Sequence, residues 1–290
     1  MSATTSPTTP STRMSGSTRL SFPHLVRSEW IKLRSIRSTF WCYAILVVVT
    51  IGIAALVGAI ANNGGQDLPT DAANGTLVNA NAVSVMLSSL VVGVLGVLII
   101  TGEYGTGQVR STFTADPRRT GVILAKATVL AVTTFVVSAV ATWIGVLISL
   151  PLLAGNGVEP EIGDPSVFLP ILGSSVYLSM LALLAYGIGL LVRSSAGGIA
   201  ITLGLLLVVP SVLALMSGLM NVEWPMNIAA FLPDSAGSQL YAYSYDGASA
   251  AATATNGGIK LNGWGGFGVL AAEVLVVGGL ALTLARRRDV

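Results

Sequence analysis

"GEYGTGQVRSTFTADPRR" (residues 102–119) is the stretch that decides the fold. It is polar, basic and rich in glycine. An apolar run lies on either side of it, 83–101 before and 122–151 after. Each comes close to or exceeds the roughly 20 residues a helix needs to cross a hydrocarbon core. A chain that surfaces between two such runs crosses the membrane more than once. Working outward, four further runs of similar length follow the same pattern, at 40–61, 169–192, 196–219 and 265–285. The run 122–151 is longer than a span requires, so it tilts or begins outside the hydrocarbon. The fourth and fifth runs are separated only by "RSSA" (193–196), which makes a tight helical hairpin. All six runs are continuous rather than alternating, which argues for helices and against a membrane barrel. The expected fold is an all-α membrane protein with six transmembrane helices.

Composition agrees. Of the 290 residues 53% are hydrophobic and only 10% charged, with a mean hydropathy of +0.78. A soluble domain carries about 25% charge, and no segment here has the polar alternation of one. Only three of the 15 cations are lysines, and with so much Ala, Gly and Val this suggests a high-GC bacterial genome. Residues 1–21 are rich in Ser, Thr and Pro and read as a disordered tail. They are not a signal peptide, because no apolar core precedes residue 40.

Orientation follows from the loops. With the N-terminus inside, 14 of the 15 cations fall on the cytoplasmic side and only Lys260 lies outside. That asymmetry predicts N- and C-termini in the cytoplasm. The acids Asp67, Asp71, Glu159, Glu161, Asp164, Glu223, Asp234 and Asp246 lean to the outside. Two outer loops, about 62–82 and 152–168, are short and acidic. The third, about 220–264, is long. Its piece "WPMNIAAFLPDSAGSQLYAYSY" (224–245) is too apolar for a solvated loop and reads as short helices at or dipping into the outer face. "DGASAAATATNGG" (246–258) reads as a flexible loop.

The chemistry available is narrow. His24 and Cys42 are the single histidine and the single cysteine, so no His/Cys metal cluster and no internal disulfide can form. His24 precedes the first span and reads as a surface residue, so no Ser/His/Asp set forms inside the membrane. An enzyme is not expected, nor a cofactor. Gly102 and Gly107 have the outer spacing of a Walker phosphate loop, but Gln108 and Val109 follow where it needs Lys and Ser or Thr. Any ATP must be bound by another chain.

Residues 21–38, "SFPHLVRSEWIKLRSIRS", place Leu25, Val26, Trp30, Leu33 and Ile36 on one stripe at near-helical spacing. Arg27, Lys32, Arg34 and Arg37 mostly lie off it, and Pro23 suits a helix start. A basic amphipathic helix with Trp belongs at the membrane interface, as an anchor or as an elbow that also cradles a partner. Glu273 lies nine residues beyond Trp264, about 13 Å into the membrane at 1.5 Å per residue. A carboxylate there costs a few kcal/mol unless paired, protonated or wet. It is either hydrogen-bonded to a neighbouring helix or part of a transport pathway. Pro210 is placed to kink the fifth span. Arg193 ends the fourth.

With these features in place, 102–119 resembles the first intracellular loop of ABC-2 type transporter permeases. The resemblance rests on Glu103-Tyr104, Gly107, Arg110-Ser111-Thr112 and Pro117-Arg118-Arg119. "SEWIKLRSIRSTFW" (28–41) looks like the family's N-terminal helix. "FLPDSAG" (231–237) looks like its outer-loop motif, and "ALTLARRRDV" (281–290) like its C-terminus. The insert around 246–262 departs from the pattern. The resemblance implies a permease subunit in the plasma membrane, paired with a second copy or a paralogue and docked on a cytosolic ABC ATPase. Membrane lipid is a further partner and nucleic acid is not. It also implies that 102–119 is the coupling segment that meets the ATPase, with Glu103, Tyr104, Arg110, Thr112 and Phe113 as its contact residues. Glu103 is expected at a helix N-terminus, where the macrodipole favours an anion. Val109, Thr112 and Phe113 would face the partner, and Arg110 would pair with an acid there.

The domain organisation is then a tail (1–21), an elbow helix (22–38) and a six-span permease domain (39–290), and the resemblance implies an exporter, as many family members are. Two other classes remain. One is an ATPase-independent proton-coupled carrier using Glu273. The other is a structural or immunity membrane protein. Against the carrier stand the single deep acid and the lack of a matching internal repeat. Nothing in the sequence marks a cargo site.

Overall fold

The computed structural model describes residues 21–61, 68–105, 120–243, 259 and 261–287. In chain order the helices are α1 (Phe22–Ser35), α2 (Arg37–Ile60), α3 (Thr70–Gly105), α4 (Thr120–Ala154) and α5 (Pro165–Val192). Then come α6 (Ser195–Met220), the short α7 (Trp224–Ala229) and α8 (Pro233–Ser238), and α9 (Gly263–Arg287). Six of them, α2 to α6 and α9, are long and apolar enough to cross a membrane. No strand occurs among the described residues. The fold is the expected all-α, six-span architecture.

Two helices overrun the expected boundaries. α3 has 36 residues, so 70–82, read above as outer loop, is a helical extension of the second span. Its Asn, Thr, Asp and Gly residues dilute the hydropathy signal. Packing decides instead: Ala73, Leu77 and Val78 are buried against Val146, Leu153, Val158, Val167 and Ile171. α4 likewise runs through Pro151 to Ala154. Beyond it the Asn156 amide donates to the Gly58 carbonyl at 3.1 Å, tying the exits of α4 and α2 together.

α3 and α5 form the centre. In each, 61% of the most apolar stretch is buried, against 11% in α6 and in α9, so the latter two lie at the periphery. α3 and α5 meet backbone to backbone. A Cβ added to Gly96 would collide with the Ala182 carbonyl, which is how small residues let membrane helices approach closely. Hydroxyls link helices inside this apolar frame, with Thr50 and Ser88 at 2.9 Å and Tyr43 and Thr134 at 3.0 Å.

The α5–α6 hairpin is as tight as "RSSA" implies. Arg193 takes a left-handed conformation (φ 57°) and its N–H donates to the Gly189 carbonyl at 2.9 Å, closing α5. Within α6, residues Gly204–Val208 form a wide π-helical turn just before Pro210. Proline has no N–H for the carbonyl four residues earlier, and its ring crowds it. A π turn is one way a helix absorbs that fault. The segment after α6 carries two short helices, as expected for 224–245.

Candidate functional site

The chemistry concentrates where α1 meets the ends of α3 and α4. α1 carries Val26 and Leu33 into the main core, while Trp30 and Ile31 stay 42% and 56% exposed. Glu29 sits three residues after Val26 and four before Leu33, so it shares the buried face and is only 3% exposed. A carboxylate in that position requires partners.

It has two. Lys32, one turn on, donates from Nζ to Glu29 Oε1 at 2.7 Å. Lys126, six residues into α4 and 5% exposed, donates to Glu29 Oε2 and also to Glu103 Oε1, the latter at 2.8 Å. Lys32 Nζ lies 3.6 Å from Glu103 Oε1. Two cations thus alternate with two carboxylates and the cluster is neutral. Burial alone would lower the Lys32 pKa. The hydrogen bond that Lys32 donates to Glu29 and the charges of Glu29 and Glu103 outweigh it, and the ammonium is held above the usual lysine range.

Glu103 is not at a helix N-terminus, contrary to the expectation from the sequence. It lies in the last turn of α3 and is 5% exposed. The macrodipole there disfavours an anion, so the two lysines offset an unfavourable helix end as well as a desolvated charge.

The rest of that helix end is held from another side. Tyr104 is half-buried, with the Arg193 guanidinium 5.3 Å from its ring centroid, within cation–π range. Ser195 Oγ donates to Thr101 Oγ1 at 2.8 Å. Tyr186 of α5 donates its hydroxyl to the Ile123 carbonyl of α4 at 3.2 Å. The end of α3 is therefore tied to α1, to α4 and to the α5–α6 link. Glu103 and Tyr104 come together with Arg193 and the lysines at this junction. Arg110, Thr112 and Phe113 lie outside the described residues.

Sequence reasoning missed Glu29 and Lys126. The signal was present in both cases. Glu29 is an acid on the apolar stripe of α1, and Lys126 is a lysine inside the run 122–151, where an uncompensated charge is expensive.

Glu273 belongs to a different place. It is half-buried on α9 and lines a cavity of about 480 Å³ between α5, α6 and α9, with Leu184, Leu205, Phe231 and Val277 among its neighbours. Its Oε2 is buried and has no hydrogen-bond partner among the described residues. A hydrogen bond to a neighbouring helix, one of the two readings above, is not formed by that oxygen.

At the opposite end of α5 from Arg193, the "FLPDSAG" motif packs onto the bundle. Tyr177, fully buried, donates its hydroxyl to Asp234 at 3.1 Å, and its ring lies 5.3 Å from that of Tyr241. Burial raises the Asp234 pKa, and the Tyr177 hydrogen bond only partly opposes it. Gly237 faces the same ring so closely that a Cβ there would overlap Tyr177. No group of His, Cys, Asp and Glu able to hold a metal ion is found among the described residues.

The family model for ABC-2 family transporter proteins matches residues 25–228, from α1 through α7. That range contains the whole charge cluster and stops short of Asp234 and α9. A comparison with curated proteins finds no match. With seven-tenths of its length matched and six helices able to span a bilayer, the chain belongs to the ABC-2 transporter family, as a multi-pass membrane protein that serves as the permease subunit of an ABC transporter.

Proposed function

We propose that this permease sits in the plasma membrane with both termini in the cytoplasm, pairs with a second copy or a paralogue, and exports its cargo. A separate cytosolic ATPase supplies the energy. The segment 102–119 docks on that ATPase through Arg110, Thr112 and Phe113. Glu103 and Tyr104, at its entrance, pass the movement on to the helices rather than touching nucleotide-binding machinery.

The observation that carries this reading is the cluster Glu29–Lys32–Glu103–Lys126. Glu103 lies just before residues 106–119 and Lys126 just after them, and both are ion-paired to the same face of α1. A push on the intervening segment reaches three elements at once: the elbow helix, the end of α3 and the start of α4. Membrane lipid around Trp30 and the exposed faces of α6 and α9 completes the setting.

The test is co-expression with candidate ABC ATPases from the same genome. Phe113→Ala and Arg110→Ala should leave membrane level intact and weaken capture of the ATPase or uncouple its hydrolysis from transport. Interface anchors of these types cost about 2 kcal/mol or more on truncation. Thr106→Ala should be milder. Parental capture and transport in both the Phe113 and Arg110 variants would leave 102–119 as a topology signal only.

A further inference from the structure

The cavity between α5, α6 and α9 has a composition that the permease reading does not use. Leu184 and Ile188 line it from α5, Leu205 from α6, and Val269, Ala272, Val276 and Val277 from α9. Phe231 and Pro233 complete the lining. Against this apolar lining stands one ionisable group, Glu273, whose Oε2 is buried without a hydrogen-bond partner among the described residues. Among the described residues no Lys, Arg or His lines the cavity.

At about 480 Å³ the space is within the range of small-molecule sites, roughly 300–1,000 Å³. Such sites are mostly apolar with a few polar groups that set orientation. A carboxyl held at membrane depth marks a functional site unless it is paired, and among the described residues none supplies the pair. A cation would supply it. An aromatic face also attracts cations, and Phe231 is part of the lining.

We propose that this cavity binds an amphipathic organic cation, an apolar body carrying one ammonium or phosphonium charge, with Glu273 as the counter-charge. The inference rests on the permease reading for its meaning as a cargo site, but the binding itself does not require an ATPase. A neutral lipid tail or a second copy of this chain would fill the apolar lining equally well and would gain nothing from Glu273. Charge complementarity is what favours the cation.

The experiment uses the full chain in nanodiscs, with empty nanodiscs as the blank, and radiolabelled tetraphenylphosphonium as the probe. Saturable binding is expected, competed by other lipophilic cations and not by the isosteric anion tetraphenylborate. Glu273→Gln should weaken binding about tenfold or more, as loss of a charge partner in an apolar lining would. Glu273→Asp should recover part of it. Val269→Trp should abolish binding with the carboxyl still in place. Each variant is accepted only if it elutes as the parent does. Equal binding by parent and Glu273→Gln, equal competition by tetraphenylborate, or no saturable binding by folded parent each overturns the site. The last result is the one expected if lipid or a second copy fills the cavity. Capture of the ATPase is scored separately. Capture without cation binding overturns the site alone, and cation binding without capture overturns the partner reading alone.

Discussion

Lys126→Met tests the charge cluster most directly. The lysine is 5% exposed and compensates Glu29 and Glu103, themselves 3% and 5% exposed. Methionine keeps much of the volume and removes the charge. The cluster then passes from neutral to a net charge of −1, with two buried carboxylates sharing Lys32 alone. Leaving a buried ion pair uncompensated costs about 3–5 kcal/mol. At about 2–4 °C per kcal/mol for a chain of this size, the unfolding midpoint should fall by roughly 10 °C. Lys32→Met is the internal comparison. Its side chain is 36% exposed, so solvent screens the pair and its removal should cost under about 1 kcal/mol. The double variant Lys126→Met/Glu103→Gln restores neutrality and should recover about 1–3 kcal/mol of the loss. The assay is thermal unfolding of the purified permease in nanodiscs, followed by ATP hydrolysis and transport of the complex. A Lys126→Met midpoint no lower than that of Lys32→Met would refute the reasoning. So would parental coupling in a variant whose stability has fallen as expected.

Three other outcomes are expected. Asp234→Asn keeps an acceptor for the Tyr177 hydroxyl and removes a charge that burial disfavours. Because the folded-state pKa of Asp234 is raised, the stability its protonated form contributes is full below the ordinary value of 3.8 and is lost as pH rises through the folded value. Unfolding midpoints measured from acid to neutral pH should therefore show the Asn variant matching the parent in acid and equal or better at neutrality. Gly237→Ala should cost about 1–3 kcal/mol by overpacking Tyr177, while Gly278→Ala, with nothing within 4 Å of its added Cβ, should unfold with the parent. Finally, in a Cys42→Ser background, cysteines at Ser111 and Arg288 should be labelled only from the cytoplasm and one at Ala251 only from outside. Labelling of position 111 in intact cells by an impermeant reagent would end the proposed orientation.

How much of this was legible beforehand depended on the type of signal. Continuous apolar runs are local, so the six spans could be read from residues 40–61 through 265–285 with boundaries a few residues off. The extension of α3 through 70–82 could not, because Asn74 and Asn81 are buried by tertiary neighbours rather than by their own hydropathy. Asn74, for instance, accepts from the Glu161 N–H at 2.8 Å, a partner 87 residues away. The candidate site was half legible. A family pattern drew the eye to Glu103 and Tyr104, but the partners that explain them lie on other helices. Glu29 carries no motif of its own, and Lys126 enters the sequence reading only as one of the 14 cytoplasmic cations. Arg193 was read as a simple helix end, and its place over Tyr104 depends on the left-handed turn that closes α5. Pairings between separate helices leave little trace in spacing along one chain.

The separation between Glu29 and Lys126 sets an order of events during synthesis. The two residues are 97 positions apart. At about 5–20 residues per second, the first emerges from the ribosome roughly 5 to 20 s before its counter-charge. For that interval α1 carries an acid on the face it will later bury, and Lys32 alone is at hand to shield it. The full set of partners for Glu29 exists only once Lys126, near the start of α4, has been made. The last residues to complete the junction are then those of the α5–α6 link, Arg193 and Ser195. The junction thus gathers residues from the first helix to the α5–α6 link, and it is complete only when that whole stretch has been made.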